Sequence, residues 1–269
     1  MIRKIVRSFL HRFNYEIIKA DWKDPDKFKI TSDIENTDLF DTPIGKYYLP
    51  DFLKADVVAN VIRRGELFDE NIINLAAKYL KKGEAALDVG ANYGQMSVQF
   101  ASLVGPAGKV YSFEAEPFVY SVLVNNVKAN NCNNVVPVYG AVHFENDIEL
   151  VFPEPDFKQF TTYGSYGLNM KATTGRKVKT LTIDSLDIPE KIGFMKVDVQ
   201  GADLFAMQGA RNTIIKNQMP IVFEFEQQFQ EDFDTSFQDY VDFVQSINYK
   251  FAATVDDINF LIVPADKKI

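Results

Sequence analysis

The run Leu87-Asp88-Val89-Gly90-Ala91-Asn92-Tyr93-Gly94, followed one strand later by Val110-Tyr111-Ser112-Phe113-Glu114, constrains this chain more than any other stretch. A short apolar strand entering a tight glycine-bearing turn and then a helix brings backbone N–H groups close to a ligand at the carboxyl edge of a sheet. An acid ending the next strand is placed for ribose hydroxyls. The pattern is that of a nucleotide-type site in an α/β fold. It is not the dinucleotide pattern, because from Gly90 the chain runs G-A-N-Y-G and breaks the G-x-G-x-x-G spacing at its second and third glycines.

The chain around this run alternates in the same way. Strand Ala86–Val89 leads to a helix with Met96, Phe100, Leu103 and Val104 on one face, and strand Lys109–Phe113 to a helix begun by Pro117 with Tyr120, Leu123, Val124 and Val127 aligned. An Asn-rich turn precedes strand Val135–Tyr139. Upstream, Gly45–Leu53 reads as a strand or hairpin arm, and Asp69 reads as the N-cap of a helix ending at Gly83. Residues Asp147–Thr182 interrupt the rhythm as an insertion on the ligand side, with strand-like pieces Glu149–Phe152 and Lys177–Thr182. The rhythm resumes with strand Gly193–Val199, a helix from Asp203 to about Ile215, strand Ile221–Glu226 and a helix opened by Thr235-Ser236-Phe237-Gln238 in capping-box form. Tyr249–Thr254 and Asn259–Val263 close the chain as paired strands. Repeated strand–helix alternation predicts a parallel sheet covered on both faces.

A chain of 269 residues fits one main domain with additions. The division expected is residues 1–44, a basic amphipathic helix and an Asp-rich linker, and residues 45–269, the main domain. A net charge of −8 argues against a nucleic-acid partner, which needs clustered Lys and Arg. Residues 1–20 are the exception: five basic residues against Glu16 give a local +4, and Ile2, Ile5, Val6, Phe9, Leu10 and Phe13 share one helical face. Such a helix suits an anionic membrane surface, a second copy of the chain or its own domain. No run is apolar enough to span a bilayer, and no cleavable leader pattern is present, so the expected location is cytoplasmic, or peripheral at the inner membrane surface. With Cys132 the one cysteine and His11 and His143 the two histidines, no thiolate-rich or histidine-rich metal site is expected. His143 reads as a hydrogen-bonded structural residue.

Asp88 ends the first strand, where a buried carboxylate either holds the turn or reaches a ligand's ammonium group. An acid beside this turn suits a cationic ligand without phosphates better than a dinucleotide, and S-adenosylmethionine is such a ligand. Glu114 closes the second strand, in place to take both ribose hydroxyls, with Glu116 a competitor for that role. In Lys196-Val197-Asp198-Val199-Gln200-Gly201-Ala202-Asp203 an apolar strand ends in alternating polar residues. Asp198 is therefore expected at the carboxyl edge across from the turn, positioned to take a proton from an acceptor hydroxyl. Asp203 reads as a helix N-cap, and Lys196 as a substrate-binding or structural partner. Tyr163, Ser165 and Tyr166, with Asn169, offer aromatic faces and hydrogen-bonding groups to a sugar or ring-shaped acceptor, or else form a surface hairpin.

Five motifs in order, LDVGANYG (87–94), VYSFEAEP (110–117), LTIDSL (181–186), KVDVQGADLFAMQGA (196–210) and PIVFEFE (220–226), resemble the FkbM family of S-adenosylmethionine-dependent methyltransferases from about Gly45 onward. The resemblance implies an α/β class I methyltransferase Rossmann-like fold, with a mostly parallel seven-stranded sheet, helices on both faces and an N-terminal helical extension. It implies O-methylation of a hydroxyl on a sugar, polysaccharide or small molecule. It places S-adenosylmethionine on Asp88, Gly90, Ala91, Asn92, Gly94 and Glu114, with an adenine contact near Ala141, and puts Asp198 at the acceptor side. The chain departs from the family at Gln200, where such enzymes commonly carry Glu. That departure keeps a second reading open, a methyltransferase-like binding module without turnover. A nicotinamide-dependent oxidoreductase is disfavoured by the broken glycine spacing.

Overall fold

The computed structural model describes residues 36–153, 162–165, 167 and 174–267. The amphipathic segment 1–20 and Tyr166 lie outside the described residues, as does the side chain of Ser165. The elements in chain order are β1 (Thr37–Thr42), β2 (Gly45–Pro50), α1 (Val57–Arg63), α2 (Glu70–Tyr79), β3 (Ala85–Val89), α3 (Gln95–Val104), β4 (Lys109–Glu114), α4 (Pro117–Ala129) and β5 (Val135–Tyr139). There follow β6 (Ala141–Val142), β7 (Glu149–Phe152), β8 (Arg176–Leu181), β9 (Ile192–Val197), α5 (Asp203–Gln208), α6 (Arg211–Asn217) and β10 (Ile221–Glu224). The chain closes with α7 (Gln227–Phe233), α8 (Phe237–Ser246), β11 (Tyr249–Thr254) and β12 (Asn259–Pro264).

Seven strands form the central sheet in the order β11-β12-β10-β9-β3-β4-β5. Neighbours from β10 to β5 run parallel, whereas β12 is antiparallel to β10 and β11 to β12. β3 is apolar apart from Asp88 and buried at all five positions, as expected of a strand covered on both faces. It also marks the switch point: β4 continues the sheet on one side of it and β9 on the other. In open α/β sheets the crevice outside the strand ends at such a point is where ligands bind.

Two local features depart from the periodicity. Thr37–Thr42, expected as linker, pairs with β2 as an antiparallel hairpin. The buried Asn126 of α4 fixes that hairpin by exchanging hydrogen bonds with the Tyr48 backbone, while its Nδ2 also donates to the Tyr93 carbonyl in the glycine turn. The single helix expected from Asp203 is two, because the Asp184 carboxylate accepts the N–H groups of Asn212 and Thr213 and caps a new start at α6. This gives LTIDSL a structural role. The capping box of α8 is shifted by one residue from the expected frame: Ser236 is the N-cap and its N–H donates to Asp239, while Gln238 pairs with Asp242. The insertion builds a small sheet in the order β6-β8-β7.

His143 is 1% exposed, between the rings of Phe144 (centroids 4.1 Å apart) and Phe205 (5.2 Å), and neither ring nitrogen has a hydrogen-bond partner among the described residues. It is structural, as expected, but packed rather than hydrogen-bonded. Burial lowers its pKa from the ordinary 6.5 to about 4. The unfolded chain therefore takes up this proton first, so the contribution to stability is whole above pH 6.5 and is lost as the pH falls toward 4. His143→Phe is expected to reduce the acid-induced loss of stability between pH 7.5 and 4.5 by on the order of 2 kcal/mol. Urea unfolding of both proteins at the two pH values measures it, and equal pH dependences would refute the assignment.

Candidate active site

At the end of β3 the chain turns through Gly90, whose φ of +80° lies in the left-handed region. A Cβ there would stand 1.7 Å from the carbonyl oxygen of Asp198, so the glycine lets the exits of β3 and β9 touch. The N–H groups of Gly90 and Ala91 donate to the Phe113 carbonyl at the end of β4, at 3.0 and 2.9 Å. Asn92, also left-handed at φ 48°, donates its N–H to Glu114 Oε2 at 2.9 Å. Glu114 Oε1 accepts the N–H groups of Ala115 and Glu116, both at 2.8 Å. The acid ending β4 is thus braced by backbone donors and aimed, while Oε2 keeps a lone pair for a further donor. Burial pushes its pKa up to about 7, against the opposing pull of those N–H groups.

These elements wall a cavity of about 660 Å³, large enough for a nucleoside with an acceptor beside it. Gly90, Ala91, Asn92, Glu114 and Ala141 all line it. Asp88 and Gly94 do not. Asp88 is 0% exposed and belongs to the core: its Oδ2 accepts the Ser97 hydroxyl, and Lys196 Nζ lies 3.9 Å from Oδ1. Gly94 is the N-cap of α3 and faces Leu123 of α4. Glu116 is also committed elsewhere, because it caps α4 through the Val119 N–H and pairs with Arg176. Glu116 lines the same cavity, but with these protein partners on its carboxylate.

The β9–β10 side of the cavity is polar and acidic. Asp198 lines it with each carboxylate oxygen held: Oδ2 lies 3.1 Å from Lys196 Nζ, and Oδ1 accepts Gln200 Nε2 at 3.0 Å. The same Nε2 reaches Glu224 Oε2 at 2.9 Å. Lys196, 5% exposed, also donates to the Gly90 carbonyl at 2.8 Å. It lines the cavity, yet its ammonium is committed to the turn and to Asp198 and acts as a structural link between them. Burial opposes its charge, but Asp198 and Asp88 outweigh that and hold its pKa above the ordinary lysine range.

Several further residues stand in or beside the cavity. Asp69 is the N-cap of α2, as expected, but in a left-handed conformation and with no side-chain cap hydrogen bond; it lines the cavity, and burial raises it to about 6. Glu226, Asp256 and Asp257 line the same side. Asp203 lies inside α5 rather than capping it, with Ala202 at the cap, and burial raises it to about 8. Tyr163 lines the cavity and stacks on Phe118 with centroids 5.4 Å apart. Its N–H donates to Asp56 Oδ2, which also accepts the Tyr93 hydroxyl at 2.9 Å, so one buried carboxylate ties the insertion to the cofactor turn.

A glycine turn at the switch point of a mostly parallel sheet, with a braced acid ending the next strand, defines the class of fold: α/β, of the class I, Rossmann-like kind. The methyltransferase FkbM domain matches residues 88–251, and the chain belongs to that family. Among curated proteins, demethylmenaquinone methyltransferase of Geobacillus stearothermophilus is 33% identical over 82 residues, 30% of this chain and 33% of that protein. The chain thus spans about a third of the length of the curated relative it matches. Among solved structures, methyltransferase FkbM from Methylobacillus flagellatus KT is 15% identical, covering 76% of this chain and 52% of that one, with a TM-score of 0.45. A SAM-dependent methyltransferase from Aquifex aeolicus is 16% identical over 73% of this chain and 88% of that one, TM-score 0.39.

Proposed function

We propose that the protein transfers the methyl group to a hydroxyl of a neutral sugar or similar hydroxyl-rich small molecule, with Asp198 accepting the hydroxyl proton. The observation that carries this reading is the Asp198 carboxylate, held at both oxygens on the cavity wall beside Gly90. The residues fit the cofactor: Glu114 for the ribose hydroxyls, Gly90, Ala91 and Asn92 for close backbone approach, and Ala141 for the base. When bound, the cofactor supplies an electrophilic methyl carbon on a sulfonium, and transfer breaks the S–C bond as the O–C bond forms.

An alcohol is too weak an acid for a carboxylate to ionise beforehand. Asp198 helps by accepting the proton as positive charge develops on the attacking oxygen. Most of the acceleration then rests on alignment, which a cavity with fixed walls supplies. Hydroxyl groups are also the donors that a wall of Asp69, Asp198, Glu224, Glu226, Asp256 and Asp257 can satisfy, whereas an anionic acceptor meets like charge.

The test is transfer of labelled methyl from S-adenosylmethionine to a panel of methyl glycosides. Neutral methyl glucoside, galactoside and rhamnoside are expected to exceed methyl glucuronide by at least about tenfold in kcat/KM, roughly 1.4 kcal/mol of discrimination. Preference for the uronide would overturn the acceptor class. Cofactor binding with no transfer across the panel would favour the binding-module reading.

A further inference from the structure

We propose that Gln200 is a positioning residue whose side-chain amide bridges Asp198 and Glu224 and holds the two carboxyl groups together on the acceptor wall. The inference rests on the reading of Asp198 given above. Gln200 Nε2 lies 3.0 Å from Asp198 Oδ1 and 2.9 Å from Glu224 Oε2. An amide nitrogen carries two hydrogens, one for each neighbour, and with a carboxyl oxygen on either side only the NH2 end of the group can face them. The backbone supports this aim at a cost: Gln200 has φ 52°, a conformation that a residue with a side chain adopts only when its surroundings enforce it. Gln200 O and Cβ pack against Gly167 of the insertion, where a Cβ would stand 2.8 and 2.9 Å from them.

The bridge resolves an electrostatic problem. Glu224 lies well above the usual carboxylate range, first through burial and then through Asp198 and Asp203. Lys196 reaches the other oxygen of Asp198, Oδ2, at 3.1 Å. A donor between Asp198 and Glu224 therefore ties both carboxyl groups to one amide. A glutamate of the same shape would put an acceptor and a second negative charge beside Asp198 Oδ1, which needs a donor.

The proposal predicts an order that packing alone would invert. At pH 8 the urea midpoint is expected to fall furthest for the isosteric Gln200→Glu and less for Gln200→Ala, and the penalty of Gln200→Glu should shrink by at least half in an Asp198→Asn background. The affinity of both Gln200 variants for S-adenosylhomocysteine, measured by calorimetry, should stay within about threefold of the parent, because Gln200 acts on the acceptor wall. With the neutral methyl glycosides, Gln200→Glu should lower kcat about tenfold or more with KM little changed. Gln200→Glu as stable as the parent, or less harmful than Gln200→Ala, would overturn the bridge, as would a tenfold loss of S-adenosylhomocysteine affinity. If Asp198→Asn itself retains full turnover, the proton-acceptor reading fails, while the stability series still decides the bridge.

Discussion

Replacing Asp198 by Asn is expected to lower kcat by about 10²–10⁴-fold, the usual contribution of a positioned proton acceptor, while S-adenosylhomocysteine affinity changes by less than about threefold. The substitution keeps the shape of the side chain and one oxygen for Lys196 or Gln200, but it removes the charge that takes the proton. The residues proposed to hold the cofactor belong to the ends of β3 and β4, and the Asp198 backbone that meets Gly90 is unchanged by the substitution, so binding and turnover should separate. Single-turnover kinetics with the best glycoside, alongside calorimetry, gives both numbers. Turnover within a few-fold of the parent would exclude Asp198 as the proton acceptor. A parallel loss of cofactor affinity would mean instead that the substitution disturbs the Lys196 link to the turn.

Gly90→Ala should do the largest damage to the cofactor half. The new Cβ would be driven to 1.7 Å from the backbone oxygen of Asp198, and a backbone atom in a buried sheet cannot swing aside as a side-chain tip can. The residue must also hold φ +80° with a side chain attached. We expect a stability loss of about 3 kcal/mol or more and at least a hundredfold weaker S-adenosylhomocysteine binding, since relief requires β3 and β9 to part at the cavity floor. Gly83→Ala is the control. Gly83 has a similar φ, +86°, but no atom within 4 Å of the added Cβ, so it should show only the backbone cost of about 1 kcal/mol. If urea unfolding finds the two variants equally destabilised, the contact between β3 and β9 is not what requires glycine at position 90.

Much of the architecture is legible in the amino-acid pattern because each element carries its own local signal. β3 to β5 and β9 to β12 fall within two residues of the strands expected, since continuous apolar runs and turn residues specify buried strands without outside help. Glu114 and Asp198 are legible for a related reason. Each sits within two residues of the end of a parallel strand, and every such end points at the same edge. Asp88 shows the limit of that reasoning: one residue before the end of β3 its side chain enters the core, where Ser97 and Lys196 receive it. The strand pattern reveals that an acid is near the edge, but the pleat decides whether it faces ligand or protein. The split of the helix after Asp203 was hidden as well, because the carboxylate that causes it arrives from Asp184, 28 residues upstream of Asn212.

The sequence by itself determined the α/β alternation, the glycine turn, the acid on the following strand and membership of a methyltransferase family, because these depend on short-range periodicity and on residues adjacent along the chain. Tertiary structure alone decided which polar groups are free to act. Asp56 reaches Tyr93 and Tyr163, the second of them 107 residues along the chain, Lys196 holds its ammonium against Gly90 and Asp198, and Gln200 reaches Glu224 from the turn after β9. The function of a buried polar group depends on which partner satisfies it, and that partner is chosen by packing in three dimensions.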